Sequence, residues 1–162
     1  ATGLGTEFVG SGEMPRVVMD GAEIFKNAVV RMGDETVDVA TKAGWELDEI
    51  DLIIPHQANI RIIDAVRRRL GAPEDKVFIN IDQYGNTSAA TIPMALAEAI
   101  DQGIIKPGSK IVFVAFGAGL TWGAAAYEWG DRADPVETID DELPEPQQSA
   151  LDIIMSKQDA LA

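Results

Sequence analysis

One histidine, one loop asparagine and a run of glycines are the residues of this chain best placed to do chemistry. His56 is the only histidine, and it follows Pro55 in the stretch IDLIIPHQAN (50–59). An apolar run ends there and a helical pattern begins a few residues later. In open α/β sheets such strand-to-helix loops lie at the carboxyl ends of strands, where ligands bind. A lone histidine can equally well fill a loop. Asn86 follows Gly85 in DQYGNTSAA (82–90), where it is either a side-chain amide donor or a plain turn residue. FGAGLTWG (116–123) offers glycines with accessible backbone N–H groups. Imidazole, amide and backbone N–H donors brought together would suit a carbonyl oxygen whose negative charge grows during reaction.

Bringing them together is a matter of topology. Arg16–Met19, with Val17–Val18, predicts a short strand. From Gly21 the apolar residues Ile24, Phe25, Ala28, Val29, Met32, Val37, Val39 and Ala40 recur mostly at helical spacing up to Gly44. Asp51–Ile54 predicts a second strand. Asn59 can cap a helix whose Ile62, Ile63, Val66 and Leu70 share one face and which stops at Gly71. Lys76–Ile81 predicts a third strand, and Thr87 or Ser88 can cap a helix running to about Gln102. Lys110–Phe116 and Leu120–Glu128 predict a fourth and a fifth strand. The expected architecture is α/β, a mixed five-stranded sheet with flanking helices. It should be mostly parallel, but Gly117–Leu120 is too short for a crossover, so the last strand should run antiparallel. The loops bearing His56, Asn86 and the glycines then open on one sheet edge.

Composition narrows the functional classes. The chain has 162 residues, 46% hydrophobic and 25% charged, as expected of one globular domain. There is no cysteine, hence no disulfide, thiol nucleophile or thiolate ligand, and with a single histidine a metal site is not expected. No apolar run approaches a membrane span and no signal-peptide pattern opens the chain, so a cytoplasmic location with no membrane partner is expected. The net charge of −14 argues against nucleic acid as a partner. Half of that charge sits in residues 131–162, where nine acids face Arg132 and Lys157. Three segments are therefore expected. Residues 1–15 read as a loop or frayed terminus, 16–130 as the domain, and 131–162 as an acidic, proline-marked linker with an amphipathic end. That end, SALDIIMSKQDAL, would either extend freely or lie back on the body.

PHQANIRII, then GNTSAATIPMAL about thirty residues later, then AFGAGLTWGAA, resemble the C-terminal half of β-ketoacyl-acyl carrier protein synthase III. The likeness runs from about Val17 to Trp129. That family is a thiolase-fold condensing enzyme initiating fatty-acid synthesis, so the resemblance implies a thiolase-like half-unit and an acyltransferase. It implies His56 and Asn86 as two members of a Cys-His-Asn triad, which would stabilise the enolate formed as malonyl-acyl carrier protein loses its carboxylate. The asparagine separates the chain from elongating synthases, which use two histidines, and the glycine loop lacks the proline of plant-type polyketide synthases. By the same resemblance Asn59 would line the pantetheine channel and Phe116 would sit beside the cysteine. Ala118 would give its backbone N–H to an oxyanion hole, at a position where many members have glycine. Ala22 stands where some members place an asparagine contacting phosphopantetheine, so the chain departs from that pattern there.

Lys26, Arg61 and Arg68 match the family's basic patch for the acidic carrier protein; otherwise Asp64 would pair Arg61 and Arg68 on a solvated helix face. The implied substrates and partners are acyl-CoA, with a coenzyme A thioester consumed rather than a cofactor kept, and acyl carrier protein. A cysteine-bearing N-terminal half, on the same or another chain, and a homodimer of the complete enzyme are also implied. The nucleophilic cysteine and the N-terminal half are absent from this sequence, so the chain alone should be inactive. The alternative is a non-catalytic partner or carrier-protein-binding subunit derived from the same fold.

Overall fold

The computed structural model describes residues 4–7 and 16–131. The chain forms strands β1 (Leu4–Glu7) and β2 (Arg16–Met19), then helix α1 (Gly21–Ala43). Strand β3 (Leu52–Pro55), helix α2 (Ile60–Leu70), the single turn α3 (Ile81–Tyr84) and helix α4 (Thr91–Asp101) follow. Strands β4 (Lys110–Gly117) and β5 (Thr121–Glu128) complete it. The acidic segment expected at 131–162 lies outside the described residues beyond Asp131.

Helix α1 starts where Asp20 accepts the Ala22 and Glu23 N–H groups on one carboxylate oxygen, each at 3.1 Å. It ends at Gly44, whose φ of 76° is the left-handed conformation that glycine adopts without steric cost. Ala28, Met32, Thr36 and Ala40 recur every four residues along its buried face. The buried Thr36 hydroxyl is satisfied by donating to the Met32 carbonyl at 2.8 Å. Val37 is off that face and 42% exposed, so the apolar pattern overstated it. Helix α2 has the caps expected of it: Asn59 Oδ1 accepts from the Arg61 N–H at 2.9 Å, and Gly71 closes the helix at φ 64°. The helices lie close at Gly33, where a Cβ would come within 2.6 Å of Arg69 Cδ.

The sheet carries helices on both faces. Strand β4 is central, parallel to β3 with Ile53 opposite Val112, and antiparallel to β5 with Val114 opposite Ala124. The last strand therefore runs as its short connection requires. Side chains alternate: Ile53, Val112, Val114 and Phe116 face α1 and α2, while Leu52, Ile54 and Ile111 face α4 with its buried Ala95 and Ala99. All four β3 residues are buried, the signature of a strand covered on both faces.

The expectation of five strands in one sheet is corrected in two places. The first strand, β2, pairs antiparallel with β1 in a separate two-stranded sheet. Residues 1–15 are thus not all loop, because Leu4–Glu7 is a strand. The expected third strand, Lys76–Ile81, shrinks to one parallel bridge between Val77 and Ile53, and the chain turns into α3 at Ile81.

Pro55 supplies the physical reason. The Phe78 N–H donates to the Ile53 carbonyl at 2.9 Å, as in a parallel ladder. The next two ladder bonds would use the N–H and carbonyl of residue 55, but proline has no N–H. The Gln57 side chain takes over instead. Its Nε2 donates to the carbonyls of Pro55 at 2.8 Å and Phe78 at 3.1 Å, and its Oε1 accepts the Asn80 N–H at 3.1 Å. A side-chain amide, 1% exposed, thus completes the edge that a backbone strand leaves open. It also pins the loop containing His56.

Candidate active site

The His56 N–H donates to the Val114 carbonyl at 2.8 Å, extending the β3–β4 ladder by one bond. The ring stands at the carboxyl end of the parallel pair, half-buried, with Nδ1 2.6 Å from Thr91 Oγ1. Burial lowers the imidazole pKa below its ordinary 6.5, because the charged ring loses hydration there. His56 is therefore neutral near pH 7.

Asn86 is delivered by the turn after α3. Gly85 takes φ 66°, ψ −158°, a conformation open to glycine, and its N–H donates to the Ile81 carbonyl at 2.8 Å. The Asn86 side-chain oxygen accepts the Ser88 N–H at 2.9 Å. That bond engages the amide's acceptor end, and its NH₂ makes no hydrogen bond among the described residues. Ser88 itself has φ 55°, the one non-glycine positive φ among the described residues.

The third loop, between β4 and β5, carries Ala118. Its φ is not positive, so alanine presents the same N–H as glycine without strain. Gly119 is the position that needs glycine: φ is 143°, and a Cβ would lie 2.7 Å from Thr121 Cγ2. Phe116 is buried and its ring centroid is 6.5 Å from that of Trp122.

These three loops meet. A cavity of about 210 Å³ is lined by His56, Asn86, Phe116 and Ala118, with Met32 and Ile62 among its apolar walls. The same four residues also line a broader recess of about 530 Å³ that extends to Trp122. A third space, about 680 Å³, runs between the starts of α1 and α2 and reaches Asn86. Asn59, Arg61 and Ala22 line it. Asn86 thus lines both the inner donor cluster and this outer cleft. An apolar cavity of about 310 Å³ lies at the opposite sheet edge, near Ile50 and Leu70. Its lysine, Lys76, is engaged with the Asp48 carbonyl at 2.7 Å, leaving no comparable set of donors there.

Lys26 and Arg68 line none of these cavities; both are exposed, on α1 and α2. The pairing expected for Asp64 is not the one formed. Asp64 lies 3.9 Å from Arg67, whose half-buried guanidinium also reaches Glu74 at 3.2 Å, and Arg69 pairs with Asp34 at 2.7 Å. Lys26, Arg61 and Arg68 make no ion pair among the described residues. Exposed pairs of this kind contribute about 0–1 kcal/mol, so unpaired surface cations cost little.

Two residues of the site were not singled out by sequence reasoning. Gln57 was visible only as part of PHQAN, and Thr91 only as a member of GNTSAAT. Thr87 and Ser88, the expected caps, make no capping bond; a 3₁₀ turn at Ser88–Ala90 leads into α4, which begins at Thr91. No local periodicity marks a threonine whose partner lies 35 residues earlier.

Among the described residues, no helix is long and apolar enough to cross a membrane. Residues 40–129 match the family model described as 3-oxoacyl-[acyl-carrier-protein] synthase III C terminal. A β-ketoacyl-[acyl-carrier-protein] synthase III from Vibrio cholerae is 51% identical over 134 residues, which are 83% of this chain and 37% of that protein. The crystal structure of the Thermus thermophilus synthase III superposes with a TM-score of 0.73 at 47% identity, covering 80% of this chain and 42% of that one. The Aquifex aeolicus structure gives 0.68 at 50% identity, covering 70% and 37%. The chain spans about two fifths of the length of these relatives. Sequence motifs, the α/β half-unit and the loop cluster converge on one assignment: this chain belongs to the β-ketoacyl-[acyl-carrier-protein] synthase III family, within its C-terminal, thiolase-like region.

Proposed function

We propose that the chain supplies the enolate-stabilising half of a decarboxylating condensing site. The observation that carries the reading is the shared cavity of His56, Asn86 and Ala118 beside Phe116. A malonyl thioester held there would lose its carboxylate as carbon dioxide, and the C–C bonding pair would pass into the enolate. Neutral His56 and the Asn86 NH₂ would donate to the enolate oxygen as its charge grows. Neutral donors suit this step, because a cation would also hold the ground-state carboxylate and so raise the barrier to its loss. The enolate carbon would then attack an acyl thioester on a cysteine, expelling the thiolate and leaving a 3-ketoacyl product. The Ala118 N–H would serve the oxyanion of that second step.

This chain has no cysteine, so the nucleophile must come from another polypeptide segment. Acyl-CoA would be the acyl donor and malonyl-acyl carrier protein the extender. The pantetheine arm would enter by the cleft that Asn59 and Arg61 line. Mixed with a cysteine-bearing N-terminal half of a synthase III relative, the chain should release carbon dioxide and form 3-ketoacyl-carrier protein. Alone it should do neither. If no such half restores turnover while the chain still binds malonyl-carrier protein, the absent cysteine instead favours a carrier-binding module.

The unpaired cations supply a separate test. Lys26, Arg61 and Arg68 would steer the acidic carrier protein toward the cleft. The double substitution R61E/R68E is expected to weaken carrier-protein binding about tenfold at low salt, with the difference shrinking by 0.5 M salt as screening takes over. Titration calorimetry at two ionic strengths would read both; equal affinities at low salt would remove the docking role.

A further inference from the structure

Hydrogen bonding around His56 leads to a positioning residue outside the cavity lining. A neutral imidazole donates from one nitrogen and accepts at the other, so the proposed reaction demands a particular tautomer: the nitrogen facing the cavity must carry the proton. The neighbour that can choose is Thr91, 3% exposed, the first residue of α4, with Oγ1 2.6 Å from His56 Nδ1. Its hydroxyl has one proton and two acceptors in reach. One is the Ser88 carbonyl at 3.0 Å, which already accepts the backbone N–H of Thr91 itself. The other is His56 Nδ1, nearer by 0.4 Å and without another donor among the described residues. We infer that Thr91 donates its hydroxyl proton to His56 Nδ1, holding the ring as the Nε2–H tautomer and aiming that N–H at the cavity.

The inference deepens the proposed function and rests on His56 acting there as a donor. If the proton sat on Nδ1, the hydroxyl would turn to Ser88 and Nε2 would present a lone pair, repelling the enolate oxygen it should stabilise. Thr91 therefore acts through His56 and touches no substrate. Its place in the fold explains how it can do so. His56 is fixed by the β3–β4 ladder on one side of the site, while Thr91 is fixed by α4 on the other. The bond ties the ring's orientation to the helix as well as to the sheet.

Because the chain has a single histidine, the tautomer can be read directly and without turnover. Long-range ¹H–¹⁵N correlation spectra of the uniformly labelled chain near pH 7.5 are expected to show a protonated Nε2 and a pyridine-type Nδ1. Thr91→Val, nearly isosteric, should shift the ring toward a tautomer mixture, and Thr91→Ser should keep the parent pattern. A parent ring protonated at Nδ1 overturns the inference, as does a Thr91→Val ring with the parent's pattern. Should Thr91→Val not fold, Thr91→Ala takes its place, and a ring protonated at Nδ1 in the parent or in Thr91→Ser still overturns the inference. In the chain assembled with a cysteine-bearing half, Thr91→Val should lower kcat for carbon dioxide release about tenfold with KM little changed. An Nε2–H ring in a chain that no such half activates would leave the tautomer assignment standing and the proposed function wrong.

Discussion

Replacing His56 with alanine is expected to lower condensation by about 10²–10³-fold in the chain assembled with a cysteine-bearing half, the usual loss when one preorganised oxyanion donor is removed. KM for malonyl-carrier protein should change little, because the imidazole acts on charge that appears only as the carboxylate departs. Carbon dioxide release and 3-ketoacyl formation should fall together. Asn86→Ala should act in the same direction, and the double variant should lose less than the product of the two, since both donors serve one oxygen. Stopped-time assays with radiolabelled malonyl-carrier protein would measure all three. A His56→Ala assembly with parental turnover would remove His56 from the chemistry.

The pH profile follows from the same residue. Burial lowers the His56 pKa below 6.5 in the folded chain, so the neutral donor should persist to a lower pH than an exposed histidine would allow. Activity should hold through neutrality and fall on the acid side, with a limb below 6.5 that His56→Ala abolishes. Stability carries the matching sign. The unfolded chain binds the proton more readily, so the stabilising difference is complete above about 6.5 and is lost as pH falls toward the folded value. Thermal midpoints measured between pH 8 and pH 5, with and without His56, would separate this residue from the acidic background.

Gln57→Leu is expected to produce the largest loss of stability. Leucine has similar volume but returns none of the three bonds, so the Pro55 and Phe78 carbonyls and the Asn80 N–H lose their shared partner. Each unsatisfied buried polar group costs about 1–3 kcal/mol, giving a total of roughly 3 kcal/mol or more. Against a typical domain stability of about 5–15 kcal/mol that is a large fraction. Urea denaturation should show the midpoint falling with little change in slope. The same variant should also lose activity below its unfolding range, because Gln57 adjoins His56 in the loop it holds. A loss under about 1 kcal/mol would show that water or a shifted backbone satisfies those groups instead.

Local chemistry made much of this protein legible in its sequence. Asn59 and Gly71 bound α2, and Gly44 ends α1, because capping depends on a few adjacent residues whose φ and side-chain reach are set by type. The apolar stretch into Pro55 marks β3, and the short connection between β4 and β5 dictates an antiparallel β5. Those features place three loops on one sheet edge, and His56, Asn86 and Ala118 do line one cavity.

What only the tertiary structure decided depends on groups far apart in sequence. The third strand dissolves after Val77 because Pro55 lacks an N–H and Gln57 reaches 21 and 23 residues ahead to replace it. β2 joins β1 instead of the main sheet, a choice of partner that strand propensity does not specify. Asp64 meets Arg67, whose guanidinium also reaches Glu74 ten residues beyond Asp64, and Arg61 and Arg68 are left without ion pairs among the described residues. Thr91 meets His56 across 35 residues, a contact made by the way α4 packs under the sheet. Sequence period and residue type determine where a helix, strand or loop begins and which donors it carries. The direction of each donor, and the proton it holds, is settled by long-range hydrogen bonds formed only once the layers are packed.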